Sequence, residues 1–166
     1  MVRPHLRLVS IGLVLALVVA ASGCSRGGFE DRTARLTRAG RLTTFVVDAC
    51  GLDGRTIFVV GRNDHGDVLQ AVVGLEADAL TGVPASTGLT VDDRAGNRRG
   101  AFGAEAWQRR GSSGRPPGAI RSSGRRGARI ALSGDLEGLT REDTAAGTAS
   151  GLVPFGLEVR CDRTDG

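Results

Sequence analysis

Three cysteines (Cys24, Cys50, Cys161), one histidine beyond the first 23 residues (His65) and ten arginines crowded between 94 and 129 hold most of the chemistry this sequence offers. A thiolate can ligate metal, exchange disulfides or act as a nucleophile, and each use has a spacing signature. The chain has no Cys-x-x-Cys pair, no His-Glu-x-x-His and no Gly-x-Ser-x-Gly. His65 sits in Asn63-Asp64-His65-Gly66-Asp67, a string of turn formers without EF-hand spacing or a closing Glu. A His-dependent hydrolase would have to be built on this one turn. The acidic pairs Asp92-Asp93 and Glu142-Asp143 are sequence neighbours, which on a strand point to opposite faces. A general acid and a general base must share a site, so these pairs read as loop or strand-end charges. The expectation is a non-enzymatic chain with no cofactor and no metal. A small secreted hydrolase using His65 or an acidic cluster is the lesser alternative.

Cys24 has a different setting. Arg3 and Arg7 give a positive start, Leu8–Ala20 is apolar, and Ala21-Ser22-Gly23 are small residues that a signal peptidase admits. The uncharged run from Leu8 to Gly23 is about 24 Å long as a helix, short of the roughly 30 Å hydrocarbon core. A permanent span is therefore disfavoured. A cysteine directly after the small residues resembles a bacterial lipobox, although Ala21 stands where Leu is commoner. In that reading residues 1–23 are a lipoprotein signal peptide and Cys24 becomes the first mature residue, carrying diacylglycerol and palmitate. Two chains on one sulfur anchor stably, where one would not. Residues 24–32, "CSRGGFEDR", form a short tether that reaches at most about 30 Å.

With Cys24 assigned to lipid, Cys50 and Cys161 remain, and outside the cytoplasm thiols tend to oxidise. One intramolecular pairing is then possible, closing a loop of about 112 residues worth roughly 4.7 kcal/mol in the chain-entropy model. Free or reactive thiols are the other reading.

The arginines define the most unusual segment. Between 94 and 129 stand Arg94, Arg98, Arg99, Arg109, Arg110, Arg115, Arg121, Arg125, Arg126 and Arg129 against one acid, Glu105. From Cys24 onward the chain carries 20 Arg and 18 acids, so the residues outside this segment are net acidic. "GSSGRPPG" and "RSSGRRG" are Gly-, Ser- and Pro-rich and predict a long flexible basic loop over 94–129, with "AFGAEAW" a candidate strand within it. Such a loop is either merely solvated or a polyanion contact, with Arg98, Arg99, Arg109, Arg110, Arg115, Arg121, Arg125 and Arg126 as candidate binding residues. Its partners would be anionic lipids or envelope polymers. An arginine-glycine RNA-binding role sits poorly with export, so no nucleic acid is expected.

These groups must be positioned by strands. The 26 Gly, 5 Phe, single Trp and absence of Tyr leave Val, Leu, Ile and Ala to build the core. "ARLT" and "RLTTFVVDAC" flank a hairpin-like "RAG". Ile57-Phe58-Val59-Val60 reads as a strand buried on both faces. Leu69, Ala71, Val73 and Leu75 share one face of the next run, and "GLTVDD" is a further short strand. Late in the chain Ile130, Leu132 and Leu136 share a face, and Phe155, Leu157, Val159 and Cys161 point inward along "FGLEVRC". Cys50 is less regular. Strict alternation groups it with Val46 and Asp48, so either Asp48 is inward and hydrogen-bonded or a bulge resets the face. The fold class expected is all-β: a single antiparallel sandwich-like domain over 33–166.

The lipidated-type Cys24, the strand ending in "VVDAC", the late "ARIALSGDLEGL" and the closing "FGLEVRC" together resemble the mycobacterial nineteen-kilodalton lipoprotein antigen family. The resemblance implies a surface lipoprotein with a β-sandwich-like domain and a disulfide, and without established catalysis. It further implies Cys24 as anchor and Cys50–Cys161 as the bridge. The family's long Thr/Ser-rich tether is nearly missing, and the Arg-rich segment is an addition. The functional expectation is an interaction or binding module lipid-anchored to the outer face of the cytoplasmic membrane or cell surface.

Overall fold

The computed structural model describes residues 32–76, 83–139 and 151–161. The signal segment 1–23, Cys24, most of the 24–32 tether and the pair Glu142-Asp143 lie outside the described residues. Nine strands and one short helix follow in order: β1 (Thr33–Arg38), β2 (Arg41–Asp53), β3 (Thr56–Arg62), β4 (Val68–Gly74), β5 (Gly88–Asp92), β6 (Arg98–Phe102), α1 (Ala104–Arg109), β7 (Ala119–Arg126), β8 (Arg129–Leu139) and β9 (Val153–Arg160). All pairings are antiparallel, and the all-β expectation holds.

The sheet is one closed layer rather than two packed ones. Strands run β6-β5-β4-β3-β2-β1-β9-β8, and β6 pairs back onto β8 to close an eight-stranded barrel; β7 is the additional strand. Following hydrogen-bonded partners from Thr33 through β2 to β6 reaches β8 at Leu139, whereas going the other way through β9 reaches it at Arg129. That ten-residue stagger tilts the strands by about 40° to the barrel axis, within the range for small barrels.

The expected alternation builds the interior. Ala34 and Leu36, Phe45 and Val47, Leu69, Ala71 and Val73, and Leu157 and Val159 all project inward and are buried. An eight-stranded barrel is just wide enough for side chains to fill, and these apolar groups fill it. Two strand readings need correction. Val60 and Phe58 face outward, with Phe58 41% exposed, so β3 is buried on one face only. Leu75 lies past the end of β4 and is 40% exposed, because the ladder stops at Gly74.

Cys50 reaches the core by the bulge alternative. The β2–β3 register shifts between Val47 and Ala49, leaving Asp48 as the extra residue. Asp48 stays outside, in an ion pair with Arg62 (Nε to Oδ2, 2.9 Å), and Cys50 turns inward opposite Val59. The β1–β2 turn is a two-residue hairpin with positive φ at Ala39 (47°) and Gly40 (76°), the twist that suits right-handed strands.

The long-loop expectation for 94–129 is corrected. This segment contributes β6, α1 and β7, and β6 supplies the barrel's closing seam. "AFGAEAW" is the end of a strand followed by a helix, not a strand. Chain direction changes at Gly103, where a Cβ would strike the backbone of Ala85.

Candidate functional site

Opposite ends of the barrel carry different chemistry. One end holds the hairpin turns after β1, β3 and β5; the other holds the start of β1, the β7–β8 turn and the disulfide.

At the second end Cys50 and Cys161 are bonded, with their Cα atoms 5.9 Å apart. Cys50 lies on β2 and Cys161 directly after β9, the two neighbours of β1. β2 runs on past Val46, the partner of Thr33, while β9 ends at Arg160 opposite Thr33, so the disulfide joins the two chains just beyond the start of β1. Arg32 supports the same corner: its guanidinium donates to the carbonyls of Val47 (3.1 Å) and Asp48 (2.8 Å).

At the first end the His65 turn is held by Asn63. Its Oδ1 accepts from the backbone N–H of His65 (3.0 Å) and Asp67 (2.9 Å), and its Nδ2 donates to Asp67 Oδ2 (2.8 Å). Asp67 Oδ1 accepts from the Arg94 N–H at 3.1 Å. The Asp67 carboxylate is therefore occupied in bracing loops. His65 itself is exposed and borders two open hollows, one of about 370 Å³ towards Arg38 and Arg41, the other of about 540 Å³ towards Asp93 and Arg94. Asp93 accepts from both the backbone N–H (2.8 Å) and the side-chain amide (2.9 Å) of Asn97. Chiefly through that side-chain hydrogen bond, its carboxyl titrates below the ordinary aspartate value of 3.8. No cluster of three His, Cys, Asp or Glu with metal-binding geometry occurs among the described residues.

Seven of the eight candidate arginines are exposed and spread over the surface rather than gathered; Arg99 is the exception. Arg98 makes a two-pronged pair with Asp92, both contacts at 2.7 Å. Arg115 reaches Glu137 (3.8 Å), and Arg109 reaches Glu105 one helical turn away (3.5 Å). Arg121 Nε donates to the buried carboxylate of Asp135 at 2.8 Å. Arg110 lies over the Phe102 ring, 5.2 Å from its centroid. Arg125 Nε donates to the Gly127 carbonyl at 2.9 Å, inside the β7–β8 turn. Arg99, in register with Val91 and Gly138, faces the barrel interior, and its Nη1 is buried without a hydrogen bond. Arg126 is exposed at the end of β7.

Three features were not recognisable as site elements in the sequence. Phe102 and Trp107 pack together outside the barrel, with centroids 5.2 Å apart, and α1 thereby covers the outer face of β5. A shallow, mainly apolar cleft of about 180 Å³ lies beside them, floored by Val72, Thr90, Phe102 and Ala106 and edged by Arg109 and Arg110. The third feature is a row of like charge. Arg126, Arg129 and Arg160 are direct cross-strand partners on β7, β8 and β9. The sequence signal existed for two of them, since Arg126 and Arg129 flank the two-residue turn Gly127-Ala128.

Comparison with protein-family models and with curated proteins finds no match. No helix among the described residues is long and apolar enough to cross a membrane.

Proposed function

We propose that this protein is a non-enzymatic binding module of the bacterial cell envelope, exported and held at the outer face of the cytoplasmic membrane or cell surface through lipidated Cys24. The observation that carries this reading is the Cys50–Cys161 disulfide. It fits an oxidising compartment, and it leaves Cys24 outside the intramolecular pair, directly after the small residues of an export signal. The resemblance to the nineteen-kilodalton antigen family points the same way.

The barrel supports a binding role on its outside. Its interior is packed mainly with apolar side chains, so a ligand would meet the outer wall, the ends or the α1 cleft. The His65 turn favours no hydrolase. Asp67 is committed to the turn itself, and general acid–base chemistry needs a second group free to share the substrate's proton.

The test is cell fractionation of the native chain and the Cys24→Ala chain, with mass spectrometry of the mature protein before and after reduction. The native chain is expected in the detergent phase with acyl mass on an N-terminal cysteine, and Cys24→Ala in the aqueous phase. Equal membrane retention of both chains refutes the anchor.

A further inference from the structure

We infer that the outer-wall cleft beside α1 binds a fatty acid, with its carboxylate at Arg109 and Arg110 and its chain along Phe102, Val72 and Phe58, which deepens the binding role proposed above and rests on it. Outward residues of five strands fall in one register row. Gly51, Phe58, Val72, Gly88 and Phe102 are successive cross-strand partners from β2 to β6, and none has a polar side chain. The two glycines make room for rings. A Cβ on Gly51 would stand 2.6 Å from the Phe58 ring, and one on Gly88 2.7 Å from the Phe102 ring. Both rings therefore lie over the sheet instead of standing off it.

Phe58 and Val72 are each 41% exposed on the outside of a barrel whose interior is already filled. Neighbouring strands stand about 4.8 Å apart, so the row from Phe102 to Phe58 runs about 14 Å along the wall. That length suits a medium acyl chain laid across the strands. The cleft of about 180 Å³ opens on this row, between Val72 and Ala106 of α1. It is smaller than the roughly 300–1,000 Å³ of pockets for drug-sized ligands, and suits one unbranched chain.

The edge of the cleft is cationic. Arg109 and Arg110 both border it, and no acid lines it among the described residues. The Arg110 side chain has no ion pair or hydrogen bond among the described residues and is held over the Phe102 ring. Stacking through the guanidinium face leaves its edge N–H groups open to a carboxylate. Arg109 is shared with Glu105 at 3.5 Å, an exposed pair that contributes little and is readily exchanged. Gln70 and Thr90, cross-strand partners one row along, add an amide and a hydroxyl to the same wall. Cations at the edge of an apolar floor select an amphiphile with an acidic head over a neutral hydrocarbon or a soluble polyanion.

The experiment uses the full chain carrying Cys24→Ala, so that the anchor's own acyl chains do not compete for the cleft. Trp107 is the single tryptophan and packs on Phe102, so its emission reports occupation of the cleft. Decanoate below its micelle-forming concentration is expected to bind saturably by fluorescence and calorimetry. Decanol and acetate, each lacking one half of the recognition, should bind at least about tenfold more weakly. Arg110→Gln should weaken decanoate about tenfold, as loss of a hydrogen bond to a charged group does. Val72→Gln should weaken it severalfold by removing part of the apolar floor. Arg94→Gln, in the β5–β6 turn, should leave it unchanged. Decanol or acetate binding as tightly as decanoate, undiminished binding by Arg110→Gln or Val72→Gln, or an equal loss with Arg94→Gln overturns the proposal. All three substitutions fall at exposed positions, and urea unfolding checks that the barrel is intact. Fractionation of the Cys24 chains is read separately. A chain that is anchored but ignores decanoate refutes the ligand alone, and one that binds decanoate without anchoring refutes the anchor alone.

Discussion

Replacing both Cys50 and Cys161 by Ala, in a Cys24→Ala background to exclude mispairing, tests what holds the open corner under β1. The two cysteines are 111 residues apart in sequence, and the chain-entropy relation puts the constraint at roughly 4.7 kcal/mol. Two structural facts place that effect on the unfolded chain. β2 and β9 are already tied through β1, and Arg32 braces the β2 side of the corner, so the folded state keeps its shape without the bond. Engineered and native bridges also tend to deliver less than the relation gives, because the unfolded chain is not fully expanded. A net loss of about 3 kcal/mol is expected, a large share of the 5–15 kcal/mol typical of a small domain. Urea unfolding followed by circular dichroism should show a lower midpoint and a slightly larger m-value, because the unfolded chain without the bridge exposes more surface. A loss below about 1 kcal/mol with an unchanged m-value would refute the reasoning. It would mean that the bridge constrains neither the unfolded ensemble nor the corner.

Two further perturbations address the seam and the first end of the barrel. Gly118 has φ of 61°, and a Cβ there would collide with the carbonyls of Gly100 and Asp135, on the two strands that close the barrel. Gly118→Ala should therefore cost about 3 kcal/mol, combining left-handed strain with a displaced backbone; a thermal shift near zero counts against the seam as described. The Asp93 carboxyl, lowered by its Asn97 hydrogen bonds, stabilises the β5–β6 turn fully above its unfolded value of 3.8, and that contribution is lost as pH falls through its folded value. The Asn97 amide resonance should follow Asp93 with a midpoint below 3.8, and a midpoint at or above it contradicts the turn geometry.

What the sequence revealed depended on whether a signal was local. Period-2 alternation exposed the inward faces of β4, β8 and β9, because each strand half-buries itself in a filled interior. The bulge at Asp48 stayed one of two alternatives, since a register shift belongs to the pair β2–β3 and not to β2 alone. Closure was out of reach for the same reason. It rests on a three-residue pairing, Arg98–Gly100 with Glu137–Leu139, whose partners are far apart in the chain. The six residues of α1 are too few to display a helical period, and Phe102 and Trp107 gave their burial away only once the helix had folded back over β5.

The error over 94–129 has a physical origin. Counted along the chain the segment is strongly positive and its surroundings acidic, a pattern that reads as a solvated tail. Strand pairing rearranges that count. Asp92 from β5 meets Arg98 on β6, while Asp135 and Glu137 from β8 meet Arg121 and Arg115, so the acids outside the segment neutralise arginines within it. Charge separated along the sequence becomes charge matched across the seam, with Asp135 buried while doing so. The surface pairs Arg98–Asp92 and Arg115–Glu137 contribute little to stability, whereas loss of Arg121 leaves the buried Asp135 carboxylate without that guanidinium and costs more.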